Sequence, residues 1–232
     1  QGYGLTESSP VISFNTIEHH RIGTVGRAIP GVEIRIADDG EVLSRGPHIM
    51  KGYWKKLQAT AEAIDADGWL HTGDLGQIDA DGYLSITGRK KELIVMSSGK
   101  KVAPVLIESL LVADEFIDQA VVFGDRRKFL SALIVPNFAT LTTEAARMGI
   151  NSTGSQELVS HPEIVRFFEA RIEQRLAAVS SPERVKRFIL LDRPFTLAAD
   201  ELTATMKVRR GTILRRYQRE LDRLYEGPSQ SE

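Results

Sequence analysis

Cysteine is absent from all 232 residues, which excludes disulfides, thiolate nucleophiles and cysteine-based zinc sites and fits a reducing, cytoplasmic compartment. Long apolar runs are absent too. None approaches the roughly 20 residues of a membrane-spanning helix, and no secretory signal precedes the first motif. Neither sign of charge dominates: 30 basic against 31 acidic residues leave a net charge of -1, so nothing draws the whole chain to nucleic acid or to an anionic membrane. Histidine is scarce, and His19, His20, His48, His71 and His161 show no metal-ligand spacing on a common helix face, so no protein-held transition metal is expected. The chain opens at Gln1 without a methionine, as expected of the C-terminal part of a longer protein.

What is present is a chain that changes character. The length suits one large domain or two smaller ones, each with its own core. Up to Gly88 the pattern is one of short strands and turns. Val25 to Ile36 and Gly40 to Arg45 are predicted strands around Pro30-Gly31 and Asp38-Asp39-Gly40, Thr60 to Ile64 one helical turn, and Asp67-Gly68 and Asp81-Gly82 the openings of two further strands. Arg89 to Glu92 form a charged break. Beyond it, Leu93 to Met96 and Lys101 to Ala103 are predicted to pair as a hairpin around Ser97-Ser98-Gly99-Lys100, with Pro104 opening a helix to Val112. Gln119 to Gly124, Ser131 to Val135 and Val185 to Leu191 are predicted strands, and Thr140 to Met148 and Pro162 to Ala178 helices. The stripe Ile164, Phe167, Phe168, Ile172 and Leu176 is core, and a last helix after Lys207 carries a stripe of Leu214, Tyr217, Leu221 and Leu224. The fold class is α+β: a small antiparallel β-barrel-like subdomain over residues 1–91, then a second, smaller, compact α+β domain over 92–232.

Two stretches carry candidate chemistry. In QGYGLTESSP, Gly2 and Gly4 flank Tyr3, allowing backbone to approach a ligand while the ring offers a flat face, and Thr6 and Glu7 add a hydroxyl and a carboxylate. A nucleotide–magnesium site uses those groups, and so does a glycine-rich turn around a core tyrosine. In Thr72-Gly73-Asp74, the carboxylate could accept both hydroxyls of a ribose or could cap a turn. Lys207 lies in a flexible polar lead-in, with an arm long enough to reach a cleft. The arginine-rich last helix admits a nucleic-acid or regulatory module, but its aromatics are not interleaved and Glu220 and Asp222 interrupt the charge, so a solvated face is the default.

Taken in order, YGLTE, GWLHTGDLG, TGRKKELIVMSSGKKVAP and LTATMKVRR resemble the adenylate-forming superfamily of acyl-CoA synthetases, peptide-synthetase adenylation domains and luciferases. The likeness spans nearly the whole chain and is most similar to the long-chain fatty acid–CoA ligases. Many relatives carry a proline and a glycine ahead of the final lysine, where Ala204 and Met206 stand here. The resemblance implies residues 1–91 as the end of the large domain, 92–232 as a mobile C-terminal lid, and a Ser/Thr/Gly-rich phosphate loop ahead of Gln1. It also implies the substrates: fatty acid, ATP with Mg2+, and coenzyme A. Tyr3, in the turn with Gly4, would stack on adenine. Thr6 would contact phosphate, Glu7 would help hold magnesium, Asp74 would bind ribose and Arg89 would support it. Lys91 would be the hinge, Gly99 would line the pantetheine passage, and Lys207 would be the catalytic lysine of adenylation. Aryl-CoA and carrier-protein ligases stay open as alternatives, as does peripheral membrane contact of the full-length protein.

Overall fold

Turn residues punctuate the chain as far as Leu93 and leave only short strands between them. In the computed structural model, which describes residues 1–151 and 154–226, β1 (Gly2–Tyr3), β2 (Ser13–Phe14) and β3 (Arg27–Ala28) pair antiparallel in that order. Next come β4 (Glu33–Ile36), β5 (Glu41–Arg45), helix α1 (Leu57–Ala63), β6 (Leu70–Ile78) and β7 (Leu84–Arg89). Strands β4 to β7 form an antiparallel meander, curled where the register shifts within β5–β6 and β6–β7. The two Asp-Gly signals act through the aspartate ahead of them. Asp65 accepts from the Asp67 and Trp69 amides, and Asp79 accepts from the Asp81 and Tyr83 amides, each closing a loop that opens a strand. Helix α1 begins at Leu57, earlier than the expected Thr60.

From Ile94 onward the chain forms a second unit, longer than the first unit Gln1–Leu93 and so not the smaller body expected. It opens with the hairpin β8 (Ile94–Val95) and β9 (Lys101–Val102), and α2 (Pro104–Val112) follows with proline in its first turn. The main strands are β10 (Ile117–Phe123) and β11 (Leu130–Pro136); then come α3 (Phe138–Arg147), α4 (Ser155–Ser160) and α5 (Pro162–Arg175), and β12 (Val185–Leu190) lies parallel to β11. Alternation along these strands explains why they read as unbroken apolar runs. Ala120, Val122, Ala132 and Ile134 pack into one cluster with Ile107, Leu111, Ile164 and Phe168. Val121, Phe123, Leu133 and Val135 pack into another with Phe195, Leu202, Ile213 and Leu221. Both faces of the sheet are therefore covered.

The terminal helix departs from expectation. It breaks at Tyr217 into α6 (Arg210–Arg216) and α7 (Gln218–Glu226). Ile213 is fully buried, whereas Leu214 is 37% exposed. The inward face is Ile213, Tyr217, Leu221 and Leu224, a spacing of four, four and three that keeps one side of a helix. Phe167 on α5 is only partly buried and meets Phe116 edge-on at 4.9 Å. Among the described residues no helix is long and apolar enough to cross a membrane.

Candidate active site

Asp74 lies where β6 is irregular. Gly73 takes φ 71°, the Thr72 hydroxyl donates to the Val42 carbonyl at 2.7 Å and accepts from the Asp74 amide at 3.1 Å, and the Gly73 amide donates to Glu41 at 2.9 Å. A bulge of this kind re-aims one side chain. The Asp74 carboxylate, 5% exposed, takes the Tyr3 hydroxyl on Oδ2 at 2.7 Å and Arg89 Nε on Oδ1 at 2.5 Å. Arg89 is the cross-strand partner of Asp74 on β7, so the ion pair follows from register. Burial, reinforced by the Asp74 carboxylate, pushes the Tyr3 hydroxyl well above its ordinary value and keeps it a donor. A ring pinned at its hydroxyl has a fixed axis, so its face stays beside the Asp74 carboxylate. Asp74 is therefore no turn cap. Each of its oxygens is already used once, so ribose hydroxyls would meet only the remaining lone pairs.

The other residues of the first motif are placed differently. A Cβ on Gly4 would lie 1.6 Å from the Pro10 carbonyl oxygen, so the close approach that requires glycine is made by the chain itself, not reserved for a ligand. Thr6 is exposed on a single 3-10 turn, Thr6–Ser8, and Glu7 beside it is half-buried. Glu7 Oε1 accepts the Tyr53 hydroxyl at 2.8 Å and the Glu7 carbonyl accepts the Met50 amide at 2.8 Å, which clamps the loop before α1. Among the described residues no group of three or more His, Cys, Asp or Glu could hold a metal. Magnesium fits here only as a nucleotide complex, with one carboxylate, phosphate oxygens and water as ligands.

Glu7, Tyr53, Glu41, His71, Arg89 and Lys91 line a cleft of about 680 Å3. Glu41, 4% exposed, accepts from Lys90 Nζ at 2.9 Å, His71 Nδ1 at 3.1 Å and the Gly73 amide. Burial works to raise its carboxyl, but these donors outweigh burial and hold it below the ordinary value. Lys90 also reaches Asp39 at 2.6 Å. Lys91 follows, exposed, within the single 3-10 turn Lys90–Glu92.

Gly99 and Lys207 belong to the second unit, on separate turns. Gly99 closes the β8–β9 hairpin at φ 81°, its amide donating to the Met96 carbonyl at 2.9 Å, and a Cβ there would meet open space. The turn conformation alone accounts for glycine. Lys207 is exposed, but its lead-in is not the free polar segment expected. Leu202 and Val208 bridge antiparallel, the Thr203 amide donates to the Lys207 carbonyl at 2.8 Å, and the Lys207 amide donates to Thr203 Oγ1 at 3.0 Å. Met206 takes φ 61° at the tip. Tyr53, Glu41, His71 and Lys90 are site residues that sequence alone does not single out. Of these, only His71 and Lys90 stand inside motifs already singled out.

Comparison with known proteins places the chain in a family. Residues 91–229 match the family described as the AMP-binding enzyme C-terminal domain, and residues 1–54 match the family described as AMP-binding enzyme. A long-chain-fatty-acid–CoA ligase of Mycobacterium bovis, FadD15, is 42% identical over 231 residues, covering 97% of this chain and 38% of the relative. The human long-chain-fatty-acid–CoA ligase ACSBG1 is 34% identical, over 97% of this chain and 34% of its own length. The chain therefore spans roughly two fifths, or less, of these curated relatives. Among solved structures, the O-succinylbenzoate coenzyme A synthetase of Bacillus subtilis in complex with ATP and magnesium ion superposes with a TM-score of 0.65 at 26% identity, covering 91% of this chain and 40% of that one. The adenylation domain of a carboxylate reductase from Mycobacterium chelonae gives a TM-score of 0.73 at 24% identity, over 97% of this chain and 34% of that one, a likeness of fold.

Proposed function

Because this chain belongs to the AMP-binding enzymes, through their C-terminal domain, we propose that it works as the C-terminal part of an ATP-dependent ligase that activates a long-chain fatty acid and passes the acyl group to coenzyme A. The observation that carries the reading is the Tyr3–Asp74–Arg89 cluster beside a cleft that also holds Glu7 and Lys91. At that cluster the Tyr3 ring stacks on adenine beside Gly4, Asp74 accepts from ribose, Arg89 keeps that carboxylate oriented, and Thr6 donates to phosphate. Glu7 holds magnesium with the phosphates. The similar ligases named for long-chain fatty acids support the acid class.

In the first half-reaction a carboxylate oxygen attacks the α-phosphorus and the bond to pyrophosphate breaks. Negative charge grows on the non-bridging oxygens. Magnesium neutralises part of it when bound, and the Lys207 ammonium supplies a donor stronger toward the transition state than toward the ground state. In the second half-reaction the coenzyme A thiolate, its proton given up, attacks the acyl carbonyl and AMP leaves with the electron pair. That step has no use for the amine. Rotation at Lys91 then exchanges the Lys207 hairpin for the turn containing Gly99, which lines the way in for pantetheine. The setting is cytoplasmic, with peripheral membrane contact a property to be tested on the full-length protein.

The test is Lys207→Ala in the full-length ligase. ATP–pyrophosphate exchange with palmitate should fall by about a hundredfold to a thousandfold, while conversion of supplied palmitoyl-adenylate to palmitoyl-CoA stays near the parental rate. Equal loss of both steps contradicts the division of labour. Run across carboxylic acids, the same exchange assay should peak with long straight chains, and a maximum with aryl acids would contradict the acid class.

A further inference from the structure

The hairpin that presents Lys207 stands on one carboxylate. Glu201 is 0% exposed. Its Oε1 accepts Arg193 Nη2 at 2.8 Å and Arg216 Nη1 at 2.7 Å, and its Oε2 accepts Arg193 Nη1 at 2.9 Å and the Thr196 amide at 3.1 Å. Its backbone is occupied as well: the amide donates to the Thr196 carbonyl at 3.0 Å and the carbonyl accepts from the Arg209 amide at 2.8 Å. Four segments therefore meet at one residue. They are the loop through Arg193 and Thr196, the outgoing hairpin strand, the returning strand at Arg209, and the end of α6 at Arg216.

An apolar residue could fill this place. Glu201 is fully buried and directly precedes Leu202 of the second unit's core, and replacing buried ionic groups by well-packed hydrophobic ones is often neutral or stabilising. What a hydrophobic side chain cannot supply is direction. A two-oxygen acceptor held by the fork of Arg193 and by one nitrogen of Arg216 fixes an orientation as well as a distance. Lys207 lies only six residues beyond Glu201, on a hairpin whose base is set by that orientation and whose tip is closed by Thr203. An error in angle at the base is magnified at the end of a lysine arm, and an amine displaced by about an ångström loses most of its effect on a transition state.

We propose that Glu201 is a positioning residue for Lys207, fixing the base of the hairpin from which the amine reaches the α-phosphate during adenylation. The inference rests on the reading of Lys207 as the lysine of that half-reaction. Glu201 touches no substrate. It acts through the backbone, so its loss should weaken adenylation and spare transfer to coenzyme A.

The experiment compares Glu201→Gln with Lys207→Ala in the full-length ligase, measuring both half-reactions, the KM for ATP, and hydrogen exchange at the amides of Met206, Lys207 and Arg209. Glu201→Gln is expected to slow adenylation by about tenfold to a hundredfold with little change in KM, to leave thioester formation from supplied acyl-adenylate within about twofold, and to raise exchange at the hairpin amides while those of β10 and β11 stay protected. If Lys207→Ala adenylates at the parental rate, the reading of Lys207 is wrong. If Lys207→Ala is impaired but Glu201→Gln adenylates at the parental rate, or loses both steps equally, the role given to Glu201 is wrong. Should Glu201→Gln not fold, Arg193→Lys carries the same test, because it keeps the charge and loses the fork on Glu201. The same selective loss is expected of it, and parental adenylation or equal loss of both steps would overturn the proposal.

Discussion

Each unit buries a glutamate next to a segment that carries a lysine of the proposed site, and the two are braced in different ways. Glu41 accepts from one ammonium, one imidazole and one amide at the wall of a cleft. Glu201, fully buried, accepts from two guanidinium groups and one amide. An ammonium is a point charge on a flexible stem and fixes little beyond distance, whereas a guanidinium fork fixes direction. The contrast suits the two tasks. Lys90 is tied down one residue before Lys91, the proposed pivot, which is itself exposed. Lys207 is carried on a hairpin whose base cannot turn.

Removing either glutamate tests how deep the difference goes. Glu201→Ala should cost the second unit about 3 kcal/mol, the low end for a broken buried pair, because Arg193 and Arg216, with side chains 40% and 41% exposed, can turn toward water. A loss below about 1 kcal/mol in urea titration, on the scale of a surface ion pair, would remove Glu201 from its place as the keystone. Glu41→Ala should cost the first unit about half as much, since Lys90 keeps its ion pair with Asp39 after the change. A larger loss than for Glu201→Ala would reverse the comparison.

Acid gives the smallest and most graded effect. Both carboxyls are held below their ordinary value of 4.5 in the folded chain. Near and below that value the unfolded chain binds more protons than the folded one, so stability rises with pH there. The contribution is fully present above the unfolded value and is lost as pH falls through the folded one. Urea midpoints measured from pH 7 down to pH 3 should fall less steeply for Glu41→Gln than for the parent. Parallel curves would mean that Glu41 is not held ionised by Lys90 and His71.

Much of this architecture can be read from the residues, and what cannot be read has a common cause. The hairpin around Gly99, the helix after Pro104 and the strands of the second unit follow from local turn chemistry and apolar runs. Helix α4, only Ser155–Ser160, is too short to show a period. The buried face of the last helix was legible from spacing except that Ile213, not Leu214, faces inward. At the site, the residue types of Tyr3, Asp74 and Arg89 stood out, but their contact depends on β6–β7 register and on the bulge at Gly73. Glu41 opens a strand after an Asp-Asp-Gly turn, and Glu201 follows an Asp in a polar stretch. Glutamates in such places read as solvated, because their partners lie far along the chain.

The proposed pivot at Lys91 is tested most directly by Lys91→Pro in the full-length ligase, since proline fixes φ near -65° and removes the backbone donor. Single-turnover rates of the two half-reactions are the measurement. One half-reaction should survive near its parental rate and the other should fall by at least about a hundredfold. Parental rates for both would mean that nothing needs to turn at that residue.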